Sequence, residues 1–190
     1  VDSSGSMTSE WSADTNKFEA VQSALTSLGA QLPQSTRSGV VSFGHRRNFD
    51  CSDIEVLTNP SVGSQALLRA IDGLTPQDRG MRPLADAIET AAARLSQQDG
   101  AGAIVVLTDG GDECGGNICA LAGPLAQLQI PVHVVGIGMS AEDTSLLRCL
   151  PANTSGSFVV AQSGDASTPH ISKALSLSHT ANAQRSAASI

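Results

Sequence analysis

Apolar positions along the chain follow two repeats that take turns. From Trp11 to Leu32, Phe18, Val21, Leu25 and Leu28 recur every three or four residues, which predicts a helix ended by Pro33. Gly39 to Phe43 is a short apolar run that stops at Gly44, and Ile54 to Leu57 is another, closed by the Asn59-Pro60 breaker. Gln65 to Leu74 predicts a helix with Leu67, Leu68, Ile71 and Leu74 on one face. Pro83 opens a further helix, Leu84 to Gln98. Ala103 to Gly110 (AIVVLTDG) is apolar without a break until Thr108, as a strand buried on both faces should be. A helix from Ile118 to Gln129, with Pro124 in its first turns, leads to Pro131 to Gly138 (PVHVVGIG), a second buried strand. Ala141 to Leu150 predicts a short helix, Ser157 to Ala161 a last strand and Ile171 to Leu177 a final short helix. From Ser178 the chain is small and polar, as a tail or linker would be.

Strands alternating with helices predict an α/β fold with a mostly parallel sheet. With 190 residues and no internal repeat, the chain is about one domain long. Ligands of such sheets bind beyond the carboxyl ends of the strands. The informative residues are therefore Asp2 to Ser6, Gly44 to Asp50, Asp109 to Glu113 and Gly138 to Ser140, joined by Gly80 to Pro83 before a helix.

Composition narrows the function classes. Hydrophobic residues at 41% and charged residues at 15% describe a packed globule. A net charge of −7 argues against a phosphate-tracking nucleic-acid binder. With 3% aromatics, one Trp and no Tyr, a base-stacking platform is also excluded. No apolar run approaches the roughly 18 residues that cross a bilayer, so no membrane span is expected. The opening VDSSGSM has no signal-peptide pattern, which places any targeting segment outside this chain. Of the four cysteines, Cys114 and Cys119 enclose a glycine pair in DECGGNIC, a spacing that predicts a bridge closing a small loop. Cys51 and Cys149 have no evident pairing.

The strand ends hold the candidate chemistry. In Asp2-Ser3-Ser4-Gly5-Ser6, side chains two apart project to one side of an extended loop, so Asp2, Ser4 and Ser6 can converge on a point. All three offer hard oxygen, the ligand type that Mg²⁺ and Ca²⁺ prefer. Taken alone, the serines could equally cap the segment that follows. They are not alone: Gly80-Met81-Arg82-Pro83-Leu84 opens a helix, and the most apolar strand ends in Thr108-Asp109-Gly110. An Asp-x-Ser-x-Ser after the first strand, a G-x-T-P-L-like helix start and a terminal T-D-G, in that order, resemble the von Willebrand factor A domain family. The likeness covers nearly the whole chain. It extends to bacterial extracytoplasmic members with GHRR followed by Cys, here Gly44 to Arg47 and Cys51.

The resemblance implies a Rossmann-like α/β fold: a central, mostly parallel six-stranded sheet with one antiparallel edge strand, Ile54 to Leu57, and helices on both faces. It implies a domain over residues 1–177, with 178–190 as a polar tail. It also implies a metal-ion-dependent adhesion site in which Asp2, Ser4, Ser6 and Asp109 hold Mg²⁺, or Ca²⁺ or Mn²⁺, and a protein partner completes the coordination with a carboxylate. Two features depart from the family. Arg82 stands where the family has Thr, and a guanidinium has no lone pair for a metal. It can enter the cluster and pair with Asp2 or Asp109, or swing to solvent and leave a weakened four-ligand site; weak or absent Mg²⁺ affinity is expected. Only Val1 precedes Asp2, so the first strand is foreshortened at the amino end.

His45, Arg46 and Arg47 can attract an acidic partner or serve Asp50 and Asp53 locally, and Asp112 and Glu113 extend the acidic rim beside Asp109. His133, inside a buried strand, reads as a core histidine. No nucleophile elbow G-x-S-x-G, phosphate-binding loop or dinucleotide fingerprint is present. An Asp2 nucleophile of the haloacid dehalogenase kind would need a second Asp where Ser4 stands. The expectation is a non-enzymatic protein-binding or adhesion module, extracytoplasmic, with a metal-independent structural module or a subunit of an intracellular metal-insertion or AAA-linked machine as alternatives.

Overall fold

The structure, a computed structural model, describes residues 1–100 and 102–163. Strands β1 (Glu10–Ser12), β2 (Thr15–Asn16), β3 (Arg37–Phe43), β4 (Ile54–Val62), β5 (Ile104–Thr108), β6 (Val132–Ile137) and β7 (Phe158–Ala161) alternate with helices α1 (Lys17–Gln31), α2 (Gln65–Asp72), α3 (Leu84–Leu95), α4 (Ala122–Gln127), α5 (Ala141–Leu147) and α6 (Cys149–Thr154). Strands β5, β6 and β7 form a parallel sheet in that order, and β3 pairs with β4 antiparallel. The α/β class is as expected. A three-stranded parallel part and a two-stranded antiparallel part, with β4 on its outer side, are joined through residues 1–3. The Asp2 N–H donates to Leu107 O (2.9 Å), the Ser3 N–H to Phe43 O (3.0 Å) and the Phe43 N–H to Val1 O (3.3 Å). This short strap fixes Asp2 at the carboxyl end of the strands. Beyond Val1, an apolar cleft of about 270 Å³ lies between β3 and β5, walled by Leu28, Leu32, Ala91 and Leu95.

Every residue of β6 is buried, and its side chains alternate between two cores. Val135 and Ile137 join Phe18, Val21, Leu25, Leu67 and Ile71 of α1 and α2 on one face. Val132 and Val134 join Leu84, Ile88, Leu125, Leu147 and Leu150 of α3 to α6 on the other. Burying apolar area on both faces stabilises by about 25 cal/mol per Å², which explains why β5 and β6 are apolar but for Thr108 and His133. His133 is buried with its Nδ1 2.8 Å from Ser157 Oγ.

Several element boundaries differ from the sequence reading. The segment from Trp11 does not enter the helix at once: β1 and β2 form a small hairpin, and α1 begins at Lys17. Asn16 is the reason. Its side chain accepts from the Glu19 N–H while Glu19 bonds back to the Asn16 N–H, a capping box that sets the start. Strand β4 does not stop at Asn59-Pro60 but runs to Val62. An edge strand tolerates proline, and Gly39 makes room for it, since a Cβ there would lie 2.9 Å from the Pro60 nitrogen. The segment 118–129 is a 3₁₀ turn (Ile118–Leu121) followed by α4, with Pro124 in the first turn. The segment from Ala141 divides into α5 and α6 at Arg148. The helix expected at 171–177 and the tail 178–190 lie outside the described residues.

Candidate functional site

Asp2 reaches the upper face through the strap and is fully buried. Its Oδ1 accepts the Ser4 N–H at 2.9 Å and its Oδ2 accepts the Thr108 hydroxyl at 2.6 Å. Asp109 follows β5 directly. Its Oδ1 accepts the Ser6 hydroxyl (2.7 Å) and the Arg82 Nη1 (2.8 Å), and its Oδ2 accepts the Lys17 ammonium (2.8 Å). Ser4 Oγ lies 3.4 Å from Ser6 Oγ. Asp2, Ser4, Ser6 and Asp109 are thus brought together.

Arg82 lies inside this cluster, 8% exposed. Nη1 donates to Ser6 Oγ (2.9 Å) as well as Asp109, Nε to Gly111 O (2.5 Å) and Nη2 to Glu113 Oε1 (2.8 Å). Asp2 Oδ2 is 4.0 Å from Nη1. The approach of two loops aims the side chain. Gly80 packs on Gly44 so closely that a Cβ would fall 1.8 Å from Gly44 O, and Gly44 itself holds a φ of 72°. Pro83 then starts α3, and the Glu113 N–H bonds Arg82 O (3.0 Å).

The electrostatics follow from this crowding. Burial pushes the Asp2 carboxyl above the ordinary Asp range; Arg82 opposes the rise, Asp109 adds to it, and the bonds from Ser4 and Thr108 oppose it. At the rim, the Ser140 hydroxyl holds Asp143 below its usual value against some burial, helped by the Gly111 N–H and Arg82. Burial works against ionised Asp53, but the Arg46 and Arg47 N–H groups and the Arg46 guanidinium outweigh it and keep that carboxyl low.

The residues present do not fit a resident divalent ion. Both oxygens of Asp109 are already occupied by cationic side chains, and Ser6 Oγ accepts from a guanidinium that has nothing to donate to a metal. The arrangement binds charge by itself and presents a fixed, hydrogen-bonded upper surface.

The remaining candidates divide. Glu113 joins the cluster through Arg82. Asp112 instead builds the loop, accepting the Cys114 and Gly116 N–H groups on Oδ1 (2.8 and 2.7 Å) and capping α3 through the Ala85 N–H (2.9 Å). His45 pairs with Glu55 (3.0 Å), Arg46 with Asp53 (2.8 Å) and Arg47 with Asp50 (2.8 Å), so all three serve the β3–β4 loop.

The Cys114–Cys119 bridge is not formed. Cys114 is bonded to Cys51 and Cys119 to Cys149, with Cα separations of 5.7 and 5.6 Å. Asp112 turns the loop so that Cys114 faces the β3–β4 loop, while Cys119 sits in the 3₁₀ turn against α5 and α6. Sequence reasoning also missed Lys17 and Thr108. A lysine at the first position of a helix opposes the helix dipole, and that misfit was the available signal. Thr108 announced itself only as the one hydroxyl ending an apolar strand.

A family model described as von Willebrand factor type A domain matches residues 1–111. The Bacillus subtilis (strain 168) protein "Uncharacterized protein YwmC" is 30% identical over an alignment of 146 residues that covers 72% of this chain and 63% of that protein. This chain therefore spans under two thirds of that relative. Among solved structures, the conserved hypothetical protein BatB from Bacteroides thetaiotaomicron superposes with a TM-score of 0.72 at 19% identity, covering 94% of this chain and 96% of its own. Proximal thread matrix protein 1 from the mussel byssus gives 0.71 at 17% identity, over 93% of this chain and 44% of its own. At these identities, the structures show a shared fold alone.

Proposed function

Because the chain belongs to the von Willebrand factor type A domain family, we propose that it is a protein-binding module in which Arg82 and Lys17 stand in place of the metal ion of an adhesion site. The observation that carries this reading is the double occupation of Asp109, by Arg82 at 2.8 Å and by Lys17 at 2.8 Å. Two carboxylates packed on one buried site repel, and a counter-charge offsets that repulsion. A divalent ion does so by exchange with solvent. A guanidinium tethered to the backbone does so permanently, so the upper face keeps one shape with or without Mg²⁺, Ca²⁺ or Mn²⁺.

The module is non-enzymatic on this reading. The Ser6 hydroxyl is bonded to a carboxylate and a guanidinium, Ser4 Oγ lies against Ser6 Oγ, and His45 in the β3–β4 loop is engaged by Glu55. Two disulfides fit an extracytoplasmic setting. A partner carboxylate finds no open coordination position at Arg82, so recognition falls to the surfaces around the cluster.

Calorimetric titration with Mg²⁺ and Mn²⁺ tests the proposal on the wild-type chain, on Arg82→Thr and on Arg82→Thr combined with Lys17→Met. Wild type is expected to give no binding heat, and the double variant a clear gain. Wild type binding as tightly as the variants would return the metal-bridged mechanism.

A further inference from the structure

The β3–β4 loop carries a feature that neither the cluster nor the fold uses. Phe49 is 69% exposed, more than any other large hydrophobic among the described residues. Its φ is 55°, in the left-handed region that bulky side chains avoid. A glycine or asparagine would sit there without strain, and a ring so exposed adds little to the core. Strain kept at an exposed aromatic is the kind of outlier that marks a binding position.

The surroundings hold that conformation firmly. The Phe49 N–H donates to Arg79 O (2.9 Å), Asn48 bridges to Gly80, and Gln77 Nε2 donates to Asn48 Oδ1 (3.0 Å). Behind the loop, Asp53 accepts the Arg46 and Arg47 N–H groups (2.7 and 2.9 Å). The Cys51–Cys114 bond ties the loop to the residue next to Glu113, the partner of Arg82. The ring is therefore presented on the same upper face as the cluster, with little freedom to lose on binding.

Arg79 completes the feature. Its guanidinium stacks on the Phe49 ring, 5.6 Å from the centroid, and among the described residues no carboxylate pairs with it. The arginines of the β3–β4 loop itself, Arg46 and Arg47, are matched to acids. Arg79 is thus a cation without an anion, stacked on an exposed ring. Aromatic and arginine side chains are the residue types that dominate binding hot spots. A chain of net charge −7 is not drawn to an anionic bilayer or a nucleic acid, which leaves a protein as the occupant.

We infer that Phe49 and Arg79 form the anchor of the partner-binding face, and that they dock a protein surface offering an apolar pocket with a carboxylate at its rim. The inference rests on the protein-binding reading above and names where and how that binding occurs.

The test selects peptides from a phage library of random linear and cyclic sequences on the immobilised, disulfide-intact chain in EDTA. The recovered peptides are then synthesised and their affinities measured. They are expected to pair apolar residues with Asp or Glu, and to bind Phe49→Asn and Arg79→Gln about 30-fold more weakly than wild type. The melting temperature of Phe49→Asn should stand at or above that of wild type, since asparagine accepts the left-handed backbone. Peptides that bind both variants as they bind wild type, but are lost in Glu113→Gln, would overturn the Phe49–Arg79 anchor and leave the protein-binding reading in place. A selection that yields no binding peptide would overturn both.

Discussion

Replacing Arg82 by Met keeps an unbranched apolar stem but removes the guanidinium and its charge. In the wild-type chain, Nη1 bonds Asp109 at 2.8 Å and stands 4.0 Å from Asp2, and the whole side chain is 9% exposed. Removing one partner of a buried ion pair typically costs about 3–5 kcal/mol, because the other charge stays buried. Lys17 remains on Asp109 at 2.8 Å, which places the expected loss near the lower limit, about 3 kcal/mol. The Glu113 contact adds little, since that carboxylate is 43% exposed and screened. For a domain of this size, the loss corresponds to a fall of about 6–12 °C in Tm. It should also depend on pH. The Asp2 carboxyl is raised by burial and partly restrained by Arg82, so deleting the guanidinium raises it further. A carboxyl whose folded pKa lies above its unfolded value binds more protons folded than unfolded, and stability falls as pH rises through that window. The deficit of Arg82→Met should therefore be larger at pH 8 than at pH 5. Urea titrations at the two pH values, with disulfides intact, give both numbers. A deficit that is the same at both, or absent, would show that Arg82 does not compensate Asp2.

Three further outcomes follow from the loops around the site. Peptide mapping without reduction should recover 51–114 and 119–149 linkages and no 114–119 peptide, and breaking the first pair with serines should cost about 4 kcal/mol on the chain-entropy estimate for its 63-residue separation. Asp112→Ala should lose more than the about 1 kcal/mol of a lost cap, because the Cys114 and Gly116 N–H groups lose their acceptor together with Ala85; thermal unfolding measures it. Asp53 has a depressed folded pKa, so its contribution is present above the unfolded value and lost as pH falls through the folded one. Asp53→Asn should consequently flatten the acid limb of the stability curve, which acid titration followed by circular dichroism would record.

How far the sequence disclosed this molecule depends on what each residue's role required. Buried strands are legible because burial on two faces demands apolar residues at nearly every position, and Val132 to Ile137 interrupts that run with a polar side chain only at His133. The Arg82 register was legible because Gly80 and Pro83 have backbone requirements that fix it from both sides. The cysteine pairing was not. Cys114 and Cys119 are five residues apart and belong to different walls of the upper face, and only the turn made by Asp112 separates them. Lys17 was hidden for a related reason. It pairs across 92 residues of sequence, and no local pattern records such a contact. The hairpin before α1 lost out to a helical spacing that Trp11 happened to continue. The capping pair Asn16 and Glu19 was readable there and outranks periodicity as a boundary signal.

The cluster and the disulfides act in the same direction. An exchangeable ion lets a binding face take two states, one loaded and one empty, and lets ion concentration choose between them. A tethered guanidinium forgoes that choice: its concentration at Asp109 is fixed by the covalent chain. The loops that surround it are fastened as well, 44–53 to 110–117 through Cys51–Cys114, and the turn at Ile118–Leu121 to α6 through Cys119–Cys149. Ordering these loops in advance removes an entropy loss that a partner would otherwise meet. On the proposed reading, the result is a face that binds constitutively, whose affinity answers to salt and to the partner's own charge and not to divalent ions. Binding of the selected peptides unchanged by EDTA but weakened by sodium chloride would agree with that. Binding that EDTA abolishes would mean that an ion enters the face in spite of Arg82.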